Sequence, residues 1–195
     1  NPDHFVEWQL GSHLVGNHNR KNGWLAQRKP LTFGSVDGEP CVFTELSNGA
    51  IGIGDLEWKD FFEKQSFQIS RGGYMTMNKL KTDPDRPRSF HMMVCKAPEG
   101  KMVDHINGDT LDNRQKNLRV CTRQQNACNR DMDKRNTSGF KGVSFHKPSG
   151  KWSARVVRNR VAHYKTFDTA AEADTCARAM RAALHGEFAC DGTEG

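Results

Sequence analysis

The sequence predicts an α+β chain folded as small units, and three observations carry that reading. A chain of 195 residues with 35% hydrophobic content can bury small cores but not one large one. Its apolar runs are short, and their period switches between two and 3.6 residues within stretches of about ten. Two regions, near residues 101–126 and 140–186, each run from strand-like segments into a capped helix.

Residues 1–45 are rich in Gly, Asn, His and Pro and lack sustained periodicity, so they are expected as an irregular arm with short extended pieces such as EPCVFTEL. From NGAIGIGD a short strand leads into LEWKDFFEKQSF, where Leu56, Phe61 or Phe62, and Phe67 mark a short amphipathic helix. FQISRGGYMTMNKL then reads as a hairpin around Gly72 and Gly73. DPDRPRS is a turn or loop because of its two prolines, and FHMMVCKAPEG runs apolar into a Pro-Gly break.

In VDHINGDTLDNRQKNLRVCTRQQN, the pattern KMVDHI is a short strand ending in Asp104 and His105. Adjacent residues on a regular strand point to opposite faces, so the strand must bend or end there if both are to serve one site. Asn107-Gly108 supplies a turn, DTLDNRQKN is a loop, and LRVCT is a second short strand. Thr122 with Gln125 forms a capping box, which starts a helix and sets Asn126 in its first turn, facing back towards the strands.

NRDMDKRNTSG is polar and serves as a linker, placed at 131–138, and a second unit occupies 139–190. There FKGVSFH, KWSARVVR and RVAHYKTF form a three-stranded antiparallel meander, with turns at Pro148–Gly150 and at Asn159. Strand alternation turns Trp152, Ala154 and Val156 inward and Ser153, Arg155 and Val157 outward, with Lys141, Ser144, His146 and His163 also outward. A closing helix has Thr169 as N-cap, Glu172 completing the box, a stripe of Ala173, Cys176, Ala177, Met180 and Leu184, and Gly186 as its stop.

The net charge of +6 is uneven: residues 96–165 hold 16 Lys/Arg against 6 Asp/Glu, so the rest of the chain is net acidic. A basic excess held in one region is the electrostatic footprint of a nucleic-acid binder. No run can span a bilayer, and no membrane partner is expected. Six scattered cysteines without a Cys-x-x-Cys pair argue against structural zinc and for free thiols in a reducing, intracellular compartment.

Asp104, His105 and Asn126 supply what a one-metal phosphodiesterase needs: a hard carboxylate, a neutral oxygen ligand and a base. Mg²⁺ takes only one or two protein oxygens beside waters and phosphate oxygens, so Asp104 and the amide oxygen of Asn126 suffice. His105, with an ordinary pKa of about 6.5, can accept a proton from the attacking water.

These residues resemble the ββα-metal motif of HNH endonucleases of the phage and intron type. With NGAIGIGDLEWKDFFEKQSF, FHMMVCKAPEGKMVDHINGDTLDNR, NTSGFKGVSFHKPSGKWSARV and FDTAAEA, the chain is similar over residues 46–189 to HNH homing endonucleases that end in an AP2-type DNA-binding domain. The resemblance implies a ββα-metal nuclease domain over 46–130 and an AP2-like domain over 139–190. It implies Asp104 and Asn126 as ligands of Mg²⁺ or Mn²⁺, His105 as general base, Asn117 as the residue pinning the loop, and His91 as structural or phosphate-contacting. Double-stranded DNA is the implied substrate, nicked rather than cut through, with Lys141, His146, Arg155, His163, Arg123 and Arg130 as its contacts. Met92 stands where relatives often carry Arg directly after the upstream His, which implies loss of a phosphate contact there, and Ser144, Val157 and Val161 stand where AP2 domains offer Arg, which weakens base readout while the phosphate contacts of that sheet survive. The alternative is a non-catalytic nucleic-acid-binding protein of the same descent, set on structured RNA in a ribonucleoprotein such as an organellar ribosome.

Overall fold

A computed structural model of the chain describes residues 30–77, 87–130, 132–133 and 135–192. Residues 1–29 of the expected arm and 83–86 of DPDRPRS lie outside the described residues. The fold is mixed α and β, with several small antiparallel sheets and few helices. It divides into two compact units, one running to Ala97 and including Asp109–Arg119, the other comprising Pro98–Gly108 and the chain from Val120.

In the first unit, β1 (Thr32–Val36), β2 (Glu39–Glu45) and β3 (Ile51–Asp55) form an antiparallel sheet in that order. The extended piece expected at EPCVFTEL is β2, and its pairing with β1 and β3 replaces the irregular arm expected over residues 32–45. Asp37 and Gly38, at φ 53° and 78°, close a two-residue hairpin whose twist matches that of its strands. Cys41, Val42, Phe43 and Thr44 are buried in succession, and a strand covered on both faces shows no alternation to read.

Helix α1 (Lys59–Lys64) and the hairpin of β4 (Phe67–Ile69) and β5 (Met75–Met77) follow, and α2 (Phe90–Cys95) closes the core. Phe62, Phe67 and Phe90 pack ring to ring, with centroids 4.8 Å apart for Phe62–Phe67 and 5.1 Å for Phe62–Phe90. Two glycines of NGAIGIGD make room for this core. A Cβ at Gly54 would stand 2.9 Å from Phe62 Cζ, and one at Gly52 2.7 Å from Met75 Sδ.

The polar loop after Asp109 is fastened to β3: Ile53 N–H donates to Leu111 O and Asn113 N–H to Ile53 O, each at 2.9 Å. Arg114, 4% exposed, donates through Nε and Nη2 to the two carboxylate oxygens of Asp112 at 2.8 and 2.6 Å, and through Nη1 to Val36 O at 3.0 Å and Asp37 Oδ2 at 3.1 Å. Loop residues that look solvent-facing in sequence are thus buried, and their polar groups are satisfied by one another and by backbone.

The second unit contains β6 (Met102–His105) and α3 (Arg123–Cys128); β7 (Leu118–Cys121), with which β6 forms a two-stranded sheet, enters this unit at Val120. The capping box of α3 is present, with Thr122 Oγ1 accepting from Gln125 N–H at 3.2 Å and Thr122 N–H donating to Gln125 Oε1 at 2.8 Å. Strands β8 (Val143–His146), β9 (Lys151–Arg158) and β10 (Val161–Phe167) form the expected meander, followed by α4 (Ala170–His185) with its Thr169/Glu172 box. Val143, Ala154, Ala173 and Ala177 are the buried centre, with Trp152, Phe167, Cys176 and Met180 packed around it. Alanine on the facing side of α4 lets the helix lie close on the sheet.

Candidate active site and nucleic-acid face

Strand β6 delivers Asp104 and His105 together at its end, where Gly108 N–H donates to His105 O at 3.0 Å and the chain turns away. The strand therefore ends where the two adjacent side chains would otherwise have to diverge. Both are buried, Asp104 5% and His105 4% exposed.

Asn129, at the C-cap of α3, lies outside the set of site residues that the sequence points to. Its Nδ2 donates to Asp104 Oδ1 at 3.0 Å and to His105 O at 2.8 Å, so one amide grips both members of the pair. The signal that could have found it is its spacing of three from Asn126, which puts both amides on one side of α3. Asn126 lies in that helix, half-buried, its N–H bonded to Thr122 O at 3.0 Å.

In the first unit, Asn117 is 5% exposed and donates through Nδ2 to Asp112 O at 2.8 Å, inside the loop that carries it. His91 is 7% exposed on α2, its ring 5.1 Å from that of Tyr74.

Among the described residues no group of three or more His, Cys, Asp or Glu side chains is placed to hold a metal ion. Asp104 offers a hard carboxylate oxygen, the kind of donor that Mg²⁺-type cations take, and the Asn129 atom set against it is Nδ2, a hydrogen-bond donor and not a ligand. The Cys128 thiol is pushed up in pKa by burial, and all six cysteines are free.

Cross-strand register sorts the basic residues of the meander. His146, Arg155, Arg123 and Arg130 are exposed, with His146 Nδ1 2.8 Å from Ser149 Oγ. Two expected positions are corrected. His163 pairs with Val156, not with a residue of the outward face, because Asn159 and Arg160 both occupy the turn and shift the parity of β10 by one. Tyr164 takes the outward place instead, opposite Arg155 and 70% exposed.

Lys141 is the second correction. It precedes β8 and is partly buried, its Nζ donating to Cys190 O at 2.7 Å, to Cys128 O at 3.4 Å and to Arg130 O. Its three N–H donors are engaged by backbone carbonyls, so it does not stand on the outward face.

The HNH endonuclease family profile matches residues 90–128, a span that holds His91, Asp104, His105, Asn117 and Asn126 and stops one residue short of Asn129. Protein 3.8 of Escherichia phage T7 is 34% identical over 104 residues, covering 51% of this chain and 86% of that protein. An uncharacterized HNH endonuclease of Acanthamoeba polyphaga mimivirus is 35% identical over 151 residues, 75% of this chain and 78% of that protein. A second uncharacterized HNH endonuclease of the same virus is 40% identical over 67 residues, 30% of this chain and 17% of that protein. No solved structure matches the chain.

Proposed function

The chain belongs to the HNH endonuclease family, and from that premise we propose that it is an active, metal-dependent endonuclease that hydrolyses phosphodiester bonds of double-stranded DNA one strand at a time. In this reading β6, β7 and α3 are a ββα-metal motif, and 139–190 is an AP2-like anchor that docks the duplex. The observation that carries the reading is the buried pair of Asp104 and His105, held as one group by Asn129. Burial of a carboxylate and an imidazole costs free energy, so such a pair is retained where it has chemistry to perform.

Asp104 and Asn126 would hold Mg²⁺ or Mn²⁺. When bound, such an ion stabilises the charge that develops on the scissile phosphate and the leaving oxygen. The imidazole of His105 takes the proton from the attacking water as the new phosphorus–oxygen bond forms and the bridging bond breaks. Asn129 keeps the Asp104 carboxylate in one orientation through this step. His146, Arg155 and Tyr164 on the outward sheet face, with Arg123 and Arg130, contact the duplex, mainly at phosphates. Dependence on a divalent metal is general among HNH endonucleases.

The test is incubation of the protein with supercoiled plasmid and Mg²⁺, with and without chelator, beside the His105→Ala variant. Relaxed circles that require both the metal and His105 support the nicking reading. Plasmid left supercoiled, with duplex still bound, replaces it with the non-catalytic nucleic-acid-binding reading.

A further inference from the structure

We infer that Lys141 is a positioning residue for the Asp104–His105 centre, acting through Asn129; the inference rests on the catalytic reading of that pair. Asn129 lies between Cys128 and Arg130, whose carbonyls both accept from the Lys141 ammonium, Cys128 O at 3.4 Å, while Cys190 O accepts at 2.7 Å. Cys128 closes α3, where backbone carbonyls lack helical partners and a cation is favoured. The ammonium thus clasps the backbone on both sides of the residue whose side chain holds Asp104 Oδ1 and His105 O.

Lys141 is itself fixed from behind. Its carbonyl accepts from Arg181 Nη1 at 2.6 Å; Arg181 is 2% exposed and also donates through Nε and Nη2 to Asp191 Oδ1 at 3.0 and 2.6 Å. The next residue, Gly142, lies at φ 76°, and a Cβ there would stand 2.8 Å from Arg155 O. Arg155 N–H donates to Gly142 O at 2.8 Å. A run of short contacts therefore leads from the backbone of β9 through Gly142 and Lys141 to Asn129 and the candidate catalytic pair. Charge-assisted bonds to backbone make that run stiff, and positioning errors well below 1 Å are costly at a reacting centre.

The experiment compares Lys141→Met, Lys141→Arg, Asn129→Ala and the double variant Lys141→Met/Asn129→Ala in the full chain. Three readouts are taken: hydrogen exchange of the Asn129 side-chain amide by NMR, single-turnover nicking of supercoiled plasmid, and the salt slope of duplex binding. In Lys141→Met the Asn129 amide exchanges about tenfold faster or more while backbone amides of β9 keep their protection, and nicking slows by about tenfold to a hundredfold. Lys141→Arg recovers part of both. Lys141→Met adds nothing to nicking once Asn129 is Ala, the non-additivity of residues acting in series. Additive losses, an undisturbed Asn129 amide, or exchange that rises equally throughout β9 overturns the inference. A salt slope reduced by about one also overturns it and makes Lys141 a phosphate contact. If the unsubstituted chain does not nick, the endonuclease reading fails by itself, and amide exchange still decides whether Lys141 holds Asn129.

Discussion

Tyr164 stands directly across the β9–β10 ladder from Arg155, so an exposed aromatic ring and a guanidinium share one face of the meander. His163, one residue earlier, shares the face of Val156. Substitution of Arg155 by Ala should weaken duplex binding for all sequences and lower the salt slope of log affinity by about one. His163→Ala should leave affinity and slope unchanged, as fluorescence anisotropy across a salt series will show.

His105→Ala should slow plasmid nicking by about 10² to 10⁴-fold, because a proton acceptor is lost from the reacting centre. Duplex affinity should stay within experimental error. Parallel losses in nicking and binding would make His105 a scaffold residue.

Asp104→Ala and Asn126→Ala should each raise the Mg²⁺ concentration needed for half-maximal nicking and lower the binding of Mn²⁺ followed by its paramagnetic signal. An unaltered Mn²⁺ titration in both variants would remove them as ligands.

Arg114→Met should destabilise the fold by about 3 to 5 kcal/mol, since it strips the buried Asp112 carboxylate of its guanidinium. The shift in urea midpoint measures this. A loss under about 1 kcal/mol would place the Arg114–Asp112 pair with surface ion pairs.

The same guanidinium governs an acid response. Its hydrogen bond from Arg114 holds the Asp37 carboxyl below its ordinary value. A lowered carboxylate pKa contributes stability above the unfolded-state value, and the contribution is lost as pH falls through the folded-state value. Asp37→Asn should therefore melt lower than the natural chain near pH 7, with the gap closing below about pH 4. A gap of equal size at pH 7 and in strong acid would assign the effect to something other than this charge.

Local rules made much of the architecture legible. Both capping boxes, the hairpin about Gly72 and Gly73, and the meander follow from spacing and turn chemistry. The segment EPCVFTEL is legible as extended, but its place in a sheet with β1 and β3 is not, because β2 buries Cys41, Val42 and Phe43 consecutively and leaves no period to detect. At the candidate site, Asp104 and His105 announce themselves by residue type, but Asn129 sits where helix gives way to linker and is recognisable only through what its amide reaches. Lys141 looks like any basic surface residue until three carbonyls converge on it. The face of His163 depends on whether the preceding turn holds one residue or two, which residue types alone do not show.

That turn also sets how this surface can evolve. Asn159 and Arg160, at φ 52° and 65°, are the whole connection between β9 and β10. Loss of a single codon between Arg158 and Val161 would re-pair β10 by one residue and exchange its two faces wholesale, presenting His163 and Lys165 where Tyr164 and Thr166 now stand. No point substitution alters so many side chains at once. Insertions and deletions at the hairpin tip are thus the changes able to exchange one face of β10 for the other in a single event.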